Sequence, residues 1–446
     1  MRFLKWGVDR LLAAPKISRA RLGLLLFGAL VLAVGAVATN APATLAGSLA
    51  ADSPSAPSTL LSSFTRTAVL TGLQNPVQTR FAPNGDMYVA QQCGTIRLAH
   101  NGVLVATPVI AIPNTQCDSE RGLLGIALDG SFASNGYLYA AYTNTDGYSR
   151  LSRFTVVNGV ASPASETILY KYTQPSAVYH NINDVMWGPD GKLWVSSGDG
   201  YTCGSACGTN GQLLTSAHGK MLRFNPDGSV PSDNPYATAA APQSYIWSLG
   251  YRSNFRFNFM ANGTPIVGDV GVHTSTEDKW QRFYMVSKGS NYGWSSYEYH
   301  EPCTSPPGAN LSNCPFYEYQ NAPVGANAVT GFLQYEGTAY PPVFQNVLFY
   351  SEYGTQTIHY LTFTDSTYTS VATDTIFDSA AGTTVDLEMG PDGNLYSTSI
   401  YQGTVYKYTY SGPPNPTPVT DQLQIGTMYV KDTTNAANWS VQSNLQ

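Results

Sequence analysis

From residue 64 onward the chain repeats one pattern. A run of alternating apolar and polar residues leads into a turn carrying Asn-Gly or Asp-Gly, and a second alternating run rich in Tyr, Leu and Val follows. That order predicts a β-hairpin. The clear copies are RFAPNGDMYVA (Arg80 to Ala90), GPDGKLWVS (Gly188 to Ser196) and GPDGNLYS (Gly390 to Ser397), with looser ones at FASNGYLYAA (Phe132 to Ala141) and FMANGTPIVG (Phe259 to Gly268). Gly85, Gly136, Gly191, Gly263 and Gly393 supply the positive φ that a tight hairpin needs. The widest gap between copies is filled by strand-like runs from Gly331 to Leu361. About six units of roughly 50 residues, each a small sheet, predict an all-β, six-bladed β-propeller rather than a two-sheet sandwich. The segment Thr65 to Leu73 is expected to complete the last blade beside Val405 to Tyr410, which closes the ring and hides sheet edges. Residues 289–328 read as a long insertion.

The ends of the chain follow other rules. In residues 1–38, Arg2, Lys5, Arg10, Lys16, Arg19 and Arg21 precede an uncharged apolar run from Leu22 to Ala38, and small residues follow to Ala51. This is the layout of an export signal, with an uncleaved membrane anchor at 22–38 as the alternative. The protein is therefore expected to be secreted, periplasmic or extracellular, or held at the membrane. Residues 39–63, rich in Ala, Ser, Pro and Thr, read as a linker to the propeller at 64–410. In 411–446, PPNPTP is a stiff linker and the remainder the start of a C-terminal module.

All six cysteines lie beyond the apolar run, and in an exported chain that predicts disulfides. Proximity suggests Cys203 with Cys207 and Cys303 with Cys314, leaving Cys93 with Cys117, among the other pairings that six cysteines allow. Only 12% of residues are charged, and the net charge of −6 includes the basic N-terminal residues, so the body is more acidic still. A field of that sign makes nucleic acid and anionic membrane surfaces poor partners. No G-x-S-x-G, P-loop, H-E-x-x-H or EF-hand loop is present, which lowers the weight of common hydrolase and nucleotide chemistry.

Six longer strings remain. They are ERGLLGIALDGSFASNGYLY from Glu120, HNINDVMWGPDGKLWVSSGDG from His180, GKMLRFNPDGSVPSDNP from Gly219, SLGYRSNFRF from Ser248, VGDVG from Val267 and KGSNYGW from Lys288. In this order they resemble the soluble quinoprotein glucose and sorbosone dehydrogenases, whose relatives include aldose sugar dehydrogenases, over about Phe64 to Tyr410. The resemblance implies a six-bladed propeller that binds pyrroloquinoline quinone (PQQ), usually with calcium, at the mouth of its channel. It further implies oxidation of an aldose at C1 to a lactone, with a sugar substrate and an external electron acceptor as partners.

By position in these strings, His180 falls on the catalytic base, and a neutral imidazole can take a hydroxyl proton near neutral pH. Read without the resemblance, it is a loop histidine bonded to Asn181, Asn183 or Asp184. Arg252 falls on the pocket arginine, which contacts the cofactor or developing charge, or else makes a salt bridge at a blade edge. Ser253 stands beside it in the cofactor pocket, where the glucose dehydrogenases carry asparagine. Gly271 and Val272 fall on calcium-ligating carbonyls, with Asp269, Glu277 and Asp278 as candidate helpers. The other histidines, His100, His218, His273, His300 and His359, read as surface or turn residues, with His273 an exception because it follows the possible metal loop. Aromatic residues Tyr292, Trp294, Tyr297, Tyr299, Tyr317 and Tyr319 crowd the inserted region, where they line a pocket or pack between blades.

Three expected cations are missing. The late-blade lysine falls near Tyr353, and two arginines fall near Thr383 and Val385. The quinone carries three carboxylates, so each loss removes a charge-assisted contact of about 1.5–3 kcal/mol. A weaker or different cofactor site follows, and it leaves open a non-catalytic propeller that binds a glycan or protein.

Overall fold

In the computed structural model the described residues are 60–201, 209–271, 280–295, 313–320 and 328–412, with the backbone of Tyr429–Lys431 and Trp439–Val441, which pair antiparallel. The basic and apolar segment 1–38, the cysteines Cys203, Cys207 and Cys303, and the candidates Val272, Glu277 and Asp278 lie outside them.

Each predicted unit becomes a twisted antiparallel sheet, and the six sheets form the blades of a propeller. The innermost strands are Pro76–Phe81, Leu123–Leu128, Ile182–Trp187, Arg256–Phe259, Val329–Gln334 and Thr384–Met389, for blades I to VI in chain order. They contact one another in a ring, and the last contacts the first. Blade VI takes its outer strand, Phe64–Leu70, from the start of the propeller, paired with Thr404–Tyr410 from its end. This is the predicted closure.

The blades are held by what lies between them. Because every sheet is covered on both faces, strands such as Met87–Gln91, Leu193–Ser197 and Leu348–Glu352 are buried at every position. Buried apolar side chains separate into six clusters, one at each blade boundary. Burial at about 25 cal/mol per Å² of apolar surface makes these layers the principal source of stability.

The turn glycines sit at left-handed φ between the first and second strands of five blades. Two elements differ from expectation. At Phe132 to Ala141 the turn is entered through a short helix, Phe132–Asn135, capped by Gly136, so only the second half is strand. Residues 289–328 are not wholly an insertion, because Tyr317–Gln320 is the outer strand of blade IV, paired with Trp280–Met285. Cys93 is bonded to Cys117 as expected, and Cys314 is also disulfide-bonded.

Candidate active site

Blade III builds the centre of the site through its own register. Its first strand pairs antiparallel with Leu193–Ser197, with Ile182 opposite Ser197. Continued two residues beyond the strand ends, that register brings His180 opposite Asp199. Backbone bonds extend the ladder past the strand ends, from Gly198 N–H to Asn181 O (2.9 Å) and from Gly200 N–H to His180 O (2.8 Å). Gly198 is required here, since a Cβ would stand 2.6 Å from the Cβ of His180.

His180 Nδ1 lies 2.8 Å from Asp199 Oδ1, and the indole Nε1–H of Trp294 donates to Asp199 Oδ2 at 2.7 Å. With both oxygens of a fully buried carboxylate engaged, the proton belongs on Nδ1. Nε2 is then the lone-pair nitrogen, without a partner among the described residues. The His180 backbone is left-handed, with φ of 56°, and its N–H donates to Glu120 Oε2 at 2.9 Å. Glu120 lies just beyond the Cys93–Cys117 disulfide, and its neighbours on either side are tied to the other flank of that bridge, where Gln92 Nε2 donates to Ser119 O and Arg121 O.

Arg252 enters from the link between blades III and IV. Its carbonyl accepts from Asp199 N–H at 2.7 Å, its Nη1 donates to Val270 O at 2.9 Å, and its guanidinium lies 5.8 Å from the Trp294 ring centre. The salt-bridge alternative is not realised among the described residues. Trp294 is brought over by residues 290–294, which fold back on the link: Trp294 N–H donates to Gly250 O, and its carbonyl accepts from Gln212 Nε2 at 2.6 Å. The Tyr201 ring centre is 5.2 Å from that of His180.

The remaining predicted residues divide. Ser253 is buried, and its N–H donates to Asp269 at 2.8 Å. Asp269 also accepts from Arg252 N–H, at 3.1 and 3.2 Å, so it is a brace for this link rather than a free metal ligand. Burial pushes its carboxyl up to about 6, against those donors. Gly271 follows the strand Pro265–Val270, packed so tightly against the Trp280 carbonyl that a side chain would not fit. Among the described residues no three His, Cys, Asp or Glu side chains form a metal cluster, so calcium is without support there.

Of the crowded aromatics, Trp294 reaches the site. Tyr292 stacks on Tyr251 in the core, and Tyr317 and Tyr319 pack against Tyr350 of blade V. His218, read as a surface or turn residue, is buried, and desolvation lowers it to about 4. Asp199 is the partner that residue-level reading missed, although it stood in plain view in SSGDG; nothing local marks it until the strand register is known.

A ring of six blades with a histidine–carboxylate–indole chain at one end of its inner strands defines the class: a six-bladed propeller with a histidine oriented by a buried carboxylate. The family model for glucose/sorbosone dehydrogenase matches residues 73–407, and the chain belongs to that family. It is 26% identical over 348 residues to the Synechocystis uncharacterized protein slr1608, covering 74% of this chain and 82% of that one. It is also 26% identical to quinoprotein glucose dehydrogenase B of Acinetobacter calcoaceticus, over 52% of each chain. The PQQ-bound aldose sugar dehydrogenase of Streptomyces coelicolor shares the fold with a TM-score of 0.63 at 20% identity, over 78% of this chain and 99% of that one.

The donor set of the mouth tests whether such a cofactor fits. Arg252 Nη2 has no partner among the described residues, and Trp294 and Tyr201 offer flat aromatic walls, which suit a planar ring with one anionic edge. The loops of blades V and VI on the same face present Tyr353, Tyr401 and Thr383, with Thr383 Oγ1 donating to Gln402 at 2.7 Å. These groups are neutral. The residues fit the quinone ring and one anionic edge, and they lack charge for the rest.

Proposed function

We propose that this chain is a quinone-dependent sugar oxidoreductase that oxidises an aldose at C1 to its lactone. The observation that carries this reading is the chain His180–Asp199–Trp294, which leaves Nε2 as a proton acceptor at the channel mouth. Nε2 takes the proton of the C1 hydroxyl as that carbon becomes a carbonyl. Asp199 keeps Nδ1–H in place and stabilises the imidazolium that results, while Trp294 fixes the carboxylate. Arg252, with Trp294 against its guanidinium, would hold an anionic edge of the cofactor. PQQ, when bound, supplies the two-electron acceptor for the C1 hydride, and an external acceptor restores it. The disulfide Cys93–Cys117 supports an exported protein, which fractionation with an antibody would check.

The test is a titration of the full chain with PQQ, with and without calcium, followed by a sugar screen with a dye acceptor. His180→Ala should abolish turnover, and Asp199→Asn should lower kcat by about 10²–10⁴-fold through the wrong imidazole tautomer. Both should keep the thermal transition of the parent. Full activity in His180→Ala would remove the base assignment. Absence of both quinone binding and turnover would favour a propeller that binds a glycan or protein without chemistry.

A further inference from the structure

The channel has a second mouth, and it opens into a cavity of its own. His180 and Arg252 stand before the innermost strands, whereas Phe81, Leu128, Trp187, Phe259, Gln334 and Met389 end them. A strand of six residues spans about 20 Å. All six of these end residues line a cavity of about 700 Å³ that contains none of the groups placed at the His180 mouth.

Its floor is the outer part of a buried ionic network drawn from blades I, III, IV and VI. Arg80 donates to Glu388 Oε2 at 3.0 Å, reaches Asp386 Oδ1 at 3.4 Å and Asp184 Oδ1 at 3.5 Å, and Arg256 Nε lies 3.7 Å from Asp386 Oδ1. Gln78 Nε2 donates to Asp184 at 2.6 Å, and Thr79 N–H to Asp386 Oδ2 at 2.9 Å. Two guanidinium groups thus face three carboxylates. Of these, Asp184 and Asp386 are sealed, with 1% and 3% of their side chains exposed, while Glu388 keeps 22% and opens into the cavity. Its Oε1 has no partner among the described residues. Glu336, exposed at the rim, adds a second negative charge, and Arg80, the one cation in the lining, is already engaged.

We propose that this cavity binds a small organic cation, a substituted ammonium with an apolar body, whose charge is met by Glu388. The walls suit the body, because Phe81, Trp187 and Phe259 present aromatic rings and Met186, Met260 and Met389 thioethers. An anion would meet the surplus carboxylate. A hard divalent ion would find one free oxygen of Glu388 and the carboxylate of Glu336 out at the rim, while the amide oxygens of Asn258, Gln334 and Asn262 already accept from backbone N–H groups, too few free ligands for its shell. Without a cation the surplus is relieved by a proton: burial raises the Glu388 carboxyl to about 8, with Arg80 opposing and Asp386 and Asp184 adding to the rise. Cation binding then expels that proton. This site is independent of the chemistry assigned to the His180 mouth.

The experiment is calorimetric titration of the full chain with benzyltrimethylammonium, in two buffers of different ionisation enthalpy, with benzyl alcohol and benzoate as neutral and anionic counterparts. Saturable one-to-one binding is expected, releasing close to one proton per cation below pH 8 and almost none well above it. Glu388→Gln should weaken binding about tenfold or more, and Glu336→Gln, on the exposed rim where folding is not at risk, about threefold. No saturation by about 10 mM cation, equal binding of benzyl alcohol, or unchanged affinity in both variants would overturn the proposal.

Discussion

His180 is held in a conformation that costs an ordinary side chain about 1–2 kcal/mol, with φ of 56°. Strain of this kind persists only where neighbours over-determine it, and here Glu120 takes its N–H while Gly200 bonds its carbonyl. The bonds that impose the strain also aim the ring at Asp199. The histidine, its carboxylate and Arg252 all stand on the blade III and IV side of the mouth, and among the described residues the loops opposite present Tyr353, Tyr401 and Thr383 rather than cations. Tyr353 stands there, half-buried, with its ring 6.4 Å from that of Tyr401. Burial and the neighbouring Tyr401 raise its phenol well above the usual value, so it stays neutral and cannot replace an ammonium group. Tyr353→Lys should therefore tighten PQQ binding by about tenfold or more, the worth of one charge-assisted contact to a carboxylate. Fluorescence titration of both proteins would measure it, and equal affinities would mean that this side of the mouth does not meet the cofactor.

At the scale of the strand, the ring depends on its closure. Phe64 opens the propeller and packs edge-on against Tyr340, Phe344, Phe377 and Tyr410, with ring centres 4.8–5.3 Å apart. Phe64→Ala would empty that cluster at the seam between the two ends of the fold, and urea unfolding should show a loss of about 3–5 kcal/mol. A loss under 1 kcal/mol would mean that the seam is held by its backbone ladder alone. The seam and five of the blades were legible because hairpin turns announce themselves: a glycine at positive φ between alternating runs has few other uses. Blade V was readable only as strand-like runs, since 13 residues without an Asn-Gly or Asp-Gly turn, Tyr335 to Val347, join its first two strands. The outer strand of blade IV, Tyr317–Gln320, was hidden for another reason, being four residues long with no Asn-Gly or Asp-Gly turn beside it to announce a hairpin. The pairing of His180 with Asp199 is a fact of register. Neither residue signals the other along the chain, and the resemblance singled out the histidine as a candidate without singling out the carboxylate beside it.

The axis of the whole molecule is where the sequence was mute. Gln78, Arg80, Asp184, Arg256, Asp386 and Glu388 come from four blades, and each looks like an ordinary polar position in an alternating strand until the ring brings them together. Burying three carboxylates against two guanidinium groups ties stability to pH. Glu388 ionises near its ordinary value in the unfolded chain and only at about 8 in the folded one, so the native state holds a proton that the unfolded state releases first. Its contribution is therefore fully present in acid and is lost as pH rises from about 4.5 through 8. Asp269, raised to about 6, acts with the same sign, whereas Lys220, lowered to about 7 by burial, acts against them by favouring the fold as pH rises. Total stability mixes these effects, but the difference between the parent and Glu388→Gln isolates one. Near pH 4.5 the two proteins should unfold at similar urea concentrations, since both carry a neutral group at this position. The variant should then gain on the parent as pH rises and lead by on the order of 2 kcal/mol at pH 8, part of the full linkage being screened by solvent at the cavity. Curves that stay parallel from pH 4.5 to 8.5 would mean that Glu388 is ionised throughout, its surplus charge already balanced.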